Sequence, residues 1–156
     1  MSQRLLIVAS VMALAACSHR GTRVYEVPEG FSGWAAVVHG VPGCPALPPS
    51  DEGTVVYRLP TSGVLCTRSP ARDGDWGQDE FYFTGSSRRE IPTAGPPSSR
   101  RIWSPGEGST AVAGQTRKMF AFFVGTGAEH EANLRDLAVV VDQAVAQQSA
   151  GRITTR

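Results

Sequence analysis

The chain has 156 residues, 15 Lys and Arg against 14 Asp and Glu, a net charge of +1, and 17 Gly with 11 Pro. That length bounds one domain able to bury a real core. The charge balance argues against a general nucleic-acid binder and against any field that steers polyanions, and the Gly and Pro content, without a repeat, points to a loop-rich β protein.

At the N-terminus Arg4 precedes the apolar run Leu5 to Ala13, followed by Leu14-Ala15-Ala16-Cys17. A basic start, a short apolar stretch and small residues at a cleavage point form a secretory signal peptide. The apolar segment from Leu5 to Ala16 is too short to span a hydrocarbon core, which needs about 20 residues. The cysteine directly after Leu-Ala-Ala resembles the lipobox of bacterial lipoproteins, whose thiol is acylated and becomes the mature N-terminus. That resemblance implies a signal peptide over 1–16, lipid attachment at Cys17, a tether over 17–22 and a membrane partner reached through the anchor. Ser18, where an Asp would favour inner-membrane retention in a Gram-negative host, implies an outer-membrane anchor facing the periplasm. Loss of 1–16 removes one charge, Arg4, and leaves a neutral mature chain.

Arg23 to Val27 alternates and reads as a strand ending at Pro28. Phe31 to Val38 is a second strand candidate. His39 to Gly53 reads as a long loop carrying Pro42, Pro45, Pro48 and Pro49. Thr54 to Leu59 is a strong strand; the turn Pro60-Thr61-Ser62-Gly63 and the run Val64 to Thr67 then suggest a hairpin. With Cys17 acylated, Cys44 and Cys66 remain, and an even pair in an oxidising compartment suggests one disulfide. Closing about 23 residues of chain would contribute about 3 kcal/mol; two partly buried free thiols are the alternative.

Ser69 to Gln78 reads as a polar loop, Phe81-Tyr82-Phe83 as a short aromatic strand, and Gly85-Ser86-Ser87 as a turn toward Arg88 to Ile91. Pro92 to Gly114 reads as an irregular connection. Met119 to Val124 is too continuously apolar for a half-exposed strand and is assigned to the core. Thr126-Gly127-Ala128-Glu129 matches a capping box. Leu134, Leu137, Ala138, Val141, Ala144 and Val145 then recur at helical spacing, predicting one amphipathic helix over about 127–148, supported by Glu131 and Arg135, and a flexible tail over 150–156. The fold class is mainly β with a C-terminal helix (α+β), a β-sandwich-like domain over 23–149 with the helix docked on it.

Several motifs, in order, carry a family resemblance: Pro28-Glu29-Gly30-Phe31-Ser32-Gly33-Trp34; Tyr57-Arg58-Leu59-Pro60-Thr61-Ser62-Gly63-Val64-Leu65 with Thr67; Trp76-Gly77-Gln78-Asp79-Glu80-Phe81-Tyr82-Phe83; and Phe122-Phe123-Val124-Gly125-Thr126. Together they are similar to domain of unknown function 6843, found in small bacterial lipoproteins and secreted proteins. The resemblance covers about residues 24–133 and implies an exported, anchored, single-domain protein. It transfers no activity and no functional residue.

Catalytic signatures are weak. Asp73, Asp75, Asp79 and Glu80 could offer oxygen ligands, but an EF-hand counted from Asp73 would place its Gly and Glu at Gln78 and Thr84. His19, His39 and His130 fall on separate elements, and position 134 is leucine, so no H-E-x-x-H motif exists. Ser62 lacks the preceding glycine of G-x-S-x-G. Arg88-Arg89 and Arg100-Arg101 read as solvated charge. Trp76 and Trp103, on polar stretches, are the aromatics best placed for an interaction surface. No catalytic residue, metal or cofactor is assigned. The chain reads as a lipid-anchored envelope protein working as a non-enzymatic binding or structural module, with an envelope protein or glycan as partner. An envelope hydrolase using Asp75, Asp79 and Glu80 near Glu26 or Glu29, or an inhibitor or immunity lipoprotein, is the alternative.

Overall fold

A computed structural model describes residues 21–50, 53–72 and 76–150, Trp76 by its backbone alone. Cys17, Asp73 and Asp75 lie outside the described residues. In chain order the elements are β1 (Gly21–Pro28), β2 (Gly33–Val38), β3 (Thr54–Arg58), β4 (Val64–Cys66), β5 (Trp76–Thr84), β6 (Arg89–Glu90), β7 (Ile102–Val112), β8 (Gln115–Val124), α1 (Gly127–Ala132) and α2 (Leu137–Ala150). They make two four-stranded sheets, β3-β1-β5-β6 and β4-β2-β8-β7, here sheet A and sheet B. β1 runs parallel to both β3 and β5. β2 runs parallel to β4 and antiparallel to β8.

The architecture has three layers. Alternation sends Tyr25 and Val27 of β1, Val55 and Tyr57 of β3, and Phe81 and Phe83 of β5 to the inner face of sheet A, where they meet Ala35, Val37, Phe120, Phe122 and Val124 of sheet B. Tyr25 lies at the centre, fully buried, its ring stacked on Tyr57, Phe81 and Phe120 at centroid distances of 5.1, 5.1 and 4.9 Å. The second face of sheet B, carrying Ala36, Val38, Val64, Cys66 and Ala121, is covered by Val141, Ala144 and Val145 of α2. β2 is therefore buried from Trp34 to Val38 and β8 from Phe120 to Val124, as the continuous apolar run of β8 requires. The α+β class read from the sequence holds: a mainly β chain with a C-terminal helix docked on it.

Three local expectations are corrected. β3 and β4 do not form a hairpin, because the chain crosses between the sheets at Pro60–Gly63. Leu59 N–H donates to Glu26 O on sheet A, and Ala36 N–H donates to Gly63 O on sheet B. Gly63 permits the crossing: at φ +76° a Cβ would press on the Phe31 ring and lie 2.7 Å from Trp34 O. Both β1 and β2 offer open edges, so each strand of the apparent hairpin joins a different sheet.

The stretch from Pro92 to Gly114 is half regular, its second part being the eleven-residue β7 paired to β8. The connecting turn is Ala113-Gly114, with φ of 51° and 75°. A two-residue turn of that kind is normally announced by Asn-Gly or Asp-Gly, and β7 buries one side chain alone, Ile102. Neither usual hairpin signal is present.

The predicted single helix is two helices. The capping box forms, Glu129 N–H donating to Thr126 Oγ1 and Thr126 N–H to Glu129 Oε2. α1 then ends at Asn133, whose carbonyl accepts the Trp34 indole N–H at 2.7 Å and the Asp136 N–H at 3.2 Å. A carbonyl committed to that indole marks where the helix stops. Leu134, assigned to the buried face by its spacing, is 57% exposed.

Candidate functional site

The inner faces of both sheets change character at one end of the sandwich. The alternation that buries Tyr25 and Val27 continues backwards to Arg23. In the same way Phe81 is preceded on its face by Asp79, Phe120 by Lys118, and Val37 is followed by His39. Charged and titratable groups thus extend the aromatic core at the end where β1 begins. They surround a cavity of about 410 Å³ lined by Arg23, His39, Tyr57, Arg72, Glu107, Ser109, Lys118 and Phe120, among others.

Arg23 is the organising group. Its Nε donates to Asp79 Oδ1 at 2.6 Å and its Nη2 to Asp79 Oδ2 at 3.0 Å, while Nη1 donates to Glu107 Oε1 at 2.7 Å. The bidentate pair fixes the guanidinium plane, and the bond to Glu107 ties sheet A to sheet B. The guanidinium also lies 4.6 Å from the centroid of Phe120. Burial works against its charge, but the hydrogen bonds to Asp79 and Glu107 outweigh that and hold its pKa above the ordinary arginine value. Burial raises the pKa of the Tyr25 and Tyr57 phenols, which stay neutral.

His39 is 8% exposed and meets the Tyr57 ring edge-on at 5.8 Å. Burial lowers its pKa against a smaller opposing effect of a backbone hydrogen bond at Ser69, so the imidazole is neutral. Its Nδ1 and the Tyr25 hydroxyl are buried without a hydrogen-bond partner among the described residues. Arg72 donates to Ser50 Oγ at 3.1 Å. Arg23, Arg72 and Lys118 all have interaction partners, so the cavity is lined by engaged charges.

The residues singled out from sequence are dispersed. Asp79 faces inward and is held by Arg23, whereas Glu80, one residue on, accepts from the Tyr82 hydroxyl on the other face of the sheet. Glu26 pairs with Arg58 at 2.9 Å and Glu29 with Arg89 at 2.7 Å. The structure does not gather these carboxylates into one cluster: among the described residues no group of three or more His, Cys, Asp or Glu is arranged to hold a metal ion.

Trp76 and Trp103 stand at opposite ends. Trp76 begins β5 beside Gly21, while Trp103 lies across from Phe123. The Trp103 indole donates to Gly125 O at 3.0 Å, and its ring stacks on His130 at 5.9 Å with Arg100 at 5.2 Å. His130 also touches Trp34 and Phe123, so this aromatic group pins α1 to the sandwich. Cys44 and Cys66 form a disulfide, with their Cα atoms 5.8 Å apart. No described helix is long and apolar enough to cross a membrane.

Sequence reasoning missed Arg23, Glu107 and Lys118 as one site. Extending the alternation of β1 and β8 to their polar ends would have placed Arg23 and Lys118. Glu107 needed β7 to be recognised first.

The fold is that of a small two-sheet sandwich followed by the short α1 and the longer α2. The chain belongs to the family of unknown function DUF6843, whose sequence profile matches residues 19–132. That match ends at the last residue of α1, so α2 lies beyond it. Among solved structures the chain is similar to a candidate lipoprotein from Bacillus anthracis, with a TM-score of 0.56 at 21% identity, over 81% of this chain and 96% of that one. That likeness concerns the fold. No curated protein matches the chain.

Proposed function

We propose that this protein is a lipid-anchored envelope protein, acylated at Cys17 after removal of residues 1–16, whose domain acts as a non-enzymatic binding module. The observation that carries the reading is the place where the tether meets the fold. Cys17 precedes Arg23 by six residues, which span at most about 20 Å when fully extended. Arg23 lines the cavity at the end where β1 begins. An anchored Cys17 therefore holds that end toward the membrane and leaves the Trp103 end facing away. Acylation with more than one chain supplies stable attachment, since each buried CH₂ contributes about 0.8 kcal/mol. The engagement of Asp79 by Arg23, with Glu80 turned outward, favours a binding module over a hydrolase that needs a free carboxylate pair.

In a Gram-negative host, Ser18 directs the protein to the outer membrane with its domain in the periplasm. Two measurements test the reading. Cys17→Ala should move the protein from the membrane to the soluble fraction, and continued sedimentation with membranes would overturn the anchor. The immobilised protein should retain an envelope protein or glycan from a detergent extract, and failure to retain either would overturn the module.

A further inference from the structure

We infer that the cavity at the Arg23 end is a site for a neutral polyhydroxyl ligand, a sugar unit held by hydrogen bonds rather than by charge. The inference rests on the binding-module reading and names its ligand class. A cavity of about 410 Å³ falls in the range of small-molecule sites, about 300–1,000 Å³. Its lining includes the nearly buried rings of Tyr57 and Phe120 and the polar groups of Arg23, Glu107 and Ser109.

The state of the charges selects the ligand. Arg23 is bound to both Asp79 and Glu107, and Arg72 and Lys118 also have partners. An ion competing for Arg23 would have to displace Asp79 or Glu107, and displacing Asp79 would leave a partly buried carboxylate uncompensated. A hydroxyl can join these pairs without breaking any. Glu107, with its side chain 71% exposed, has a second oxygen besides the one that accepts from Arg23, and a carboxylate accepts several hydrogen bonds. Ser109 offers both a donor and an acceptor. Donors and acceptors side by side suit the vicinal hydroxyls of a sugar. Because Arg23 is fixed by three hydrogen bonds, the site is preorganised.

The test uses the full-length protein purified in detergent. Isothermal titration with glucose, N-acetylglucosamine and inorganic phosphate should give saturable binding of at least one sugar and none of phosphate. Ser109→Tyr places a ring at the cavity lining, at an exposed strand position where aromatic residues are intrinsically favoured, and should weaken sugar binding at least tenfold. Ala71→Trp fills the cavity from the 68–72 loop and should do the same, so misfolding of one variant leaves the test standing. Phosphate binding in preference to sugar, absence of any sugar binding, or sugar binding untouched by both variants would overturn the assignment. Retention of an envelope protein by the immobilised chain together with no sugar binding would overturn the ligand class alone and leave the module standing.

Discussion

Sheet A and sheet B have four strands each, yet they solve different problems. Sheet A is apolar on one face, and its outer side carries Glu26, Arg58, Glu80 and Tyr82 in ion pairs and hydrogen bonds. The centre of sheet B, β2 and the second half of β8, is covered on both sides, by aromatic rings from sheet A and by α2. The two interfaces of sheet B also differ in kind. The inner one is built from large rings around Tyr25. The outer one is built from alanines, valines and the Cys44–Cys66 disulfide. Large side chains hold the sheets together, and small ones let a helix lie close to a flat strand surface. The lesson is that most of the stability should reside between the sheets, with α2 contributing a smaller increment.

Paired truncations test that ranking most directly. Phe122→Ala, in the inner layer, should destabilise the protein by about 3–5 kcal/mol, while Val141→Ala, in the helix layer, should cost about 2 kcal/mol. Equilibrium urea unfolding measures both, and equal losses would break the comparison.

The helix layer has a polar clasp as well. The Gln148 amide accepts from Cys66 N–H at 3.1 Å and donates to Val64 O at 2.5 Å, pairing with the edge of β4 as a neighbouring strand would. Gln148→Ala should cost about 1–2 kcal/mol, and hydrogen exchange at the Cys66 amide should accelerate while amides of β1 stay protected. Uniform acceleration across both sheets would show that the helix layer is not a separate unit.

The smallest expected effect is a pH slope confined to the inner layer. The His39 ring lies against Tyr57, with Arg23 and Glu107 as the charges acting on it. Burial holds its folded pKa below the ordinary value of 6.5. The unfolded chain therefore takes up the proton first as pH falls. The stability from a neutral His39 is complete above about 6.5 and is lost as pH drops toward the folded value. Thermal unfolding should show a midpoint that falls from pH 7 to pH 5, and His39→Gln should flatten that dependence. An unchanged slope in the variant would assign it elsewhere.

Much of the fold was legible because its signals were local. The alternation of β1, the apolar run of β8 and the capping box at Thr126 each follow from the spacing of a few neighbouring residues. The cavity was half legible. Arg23, His39 and Lys118 keep the inward register of strands that can be read from sequence, but Glu107 sits on β7, a strand of Gly, Ser and Thr with almost no buried side chain to announce it.

By itself the sequence determined the class: a mainly β chain ending in a helix, with one cysteine pair available to bridge. These follow from periodicity and composition, which act over a few residues. Tertiary structure alone decided which edge each strand joins, where the helix breaks and which charges meet. Val64 to Cys66 could pair with β3 or with β2, and nothing within the segment distinguishes them. The helix stops where Trp34, a residue about one hundred positions earlier, takes the Asn133 carbonyl. Arg23 meets Asp79 because β1 pairs with β5, and meets Glu107 because the second sheet closes over it. Hydrogen-bond partners and burial are properties of the assembled layers, and for that reason the cavity emerges only when they are packed together.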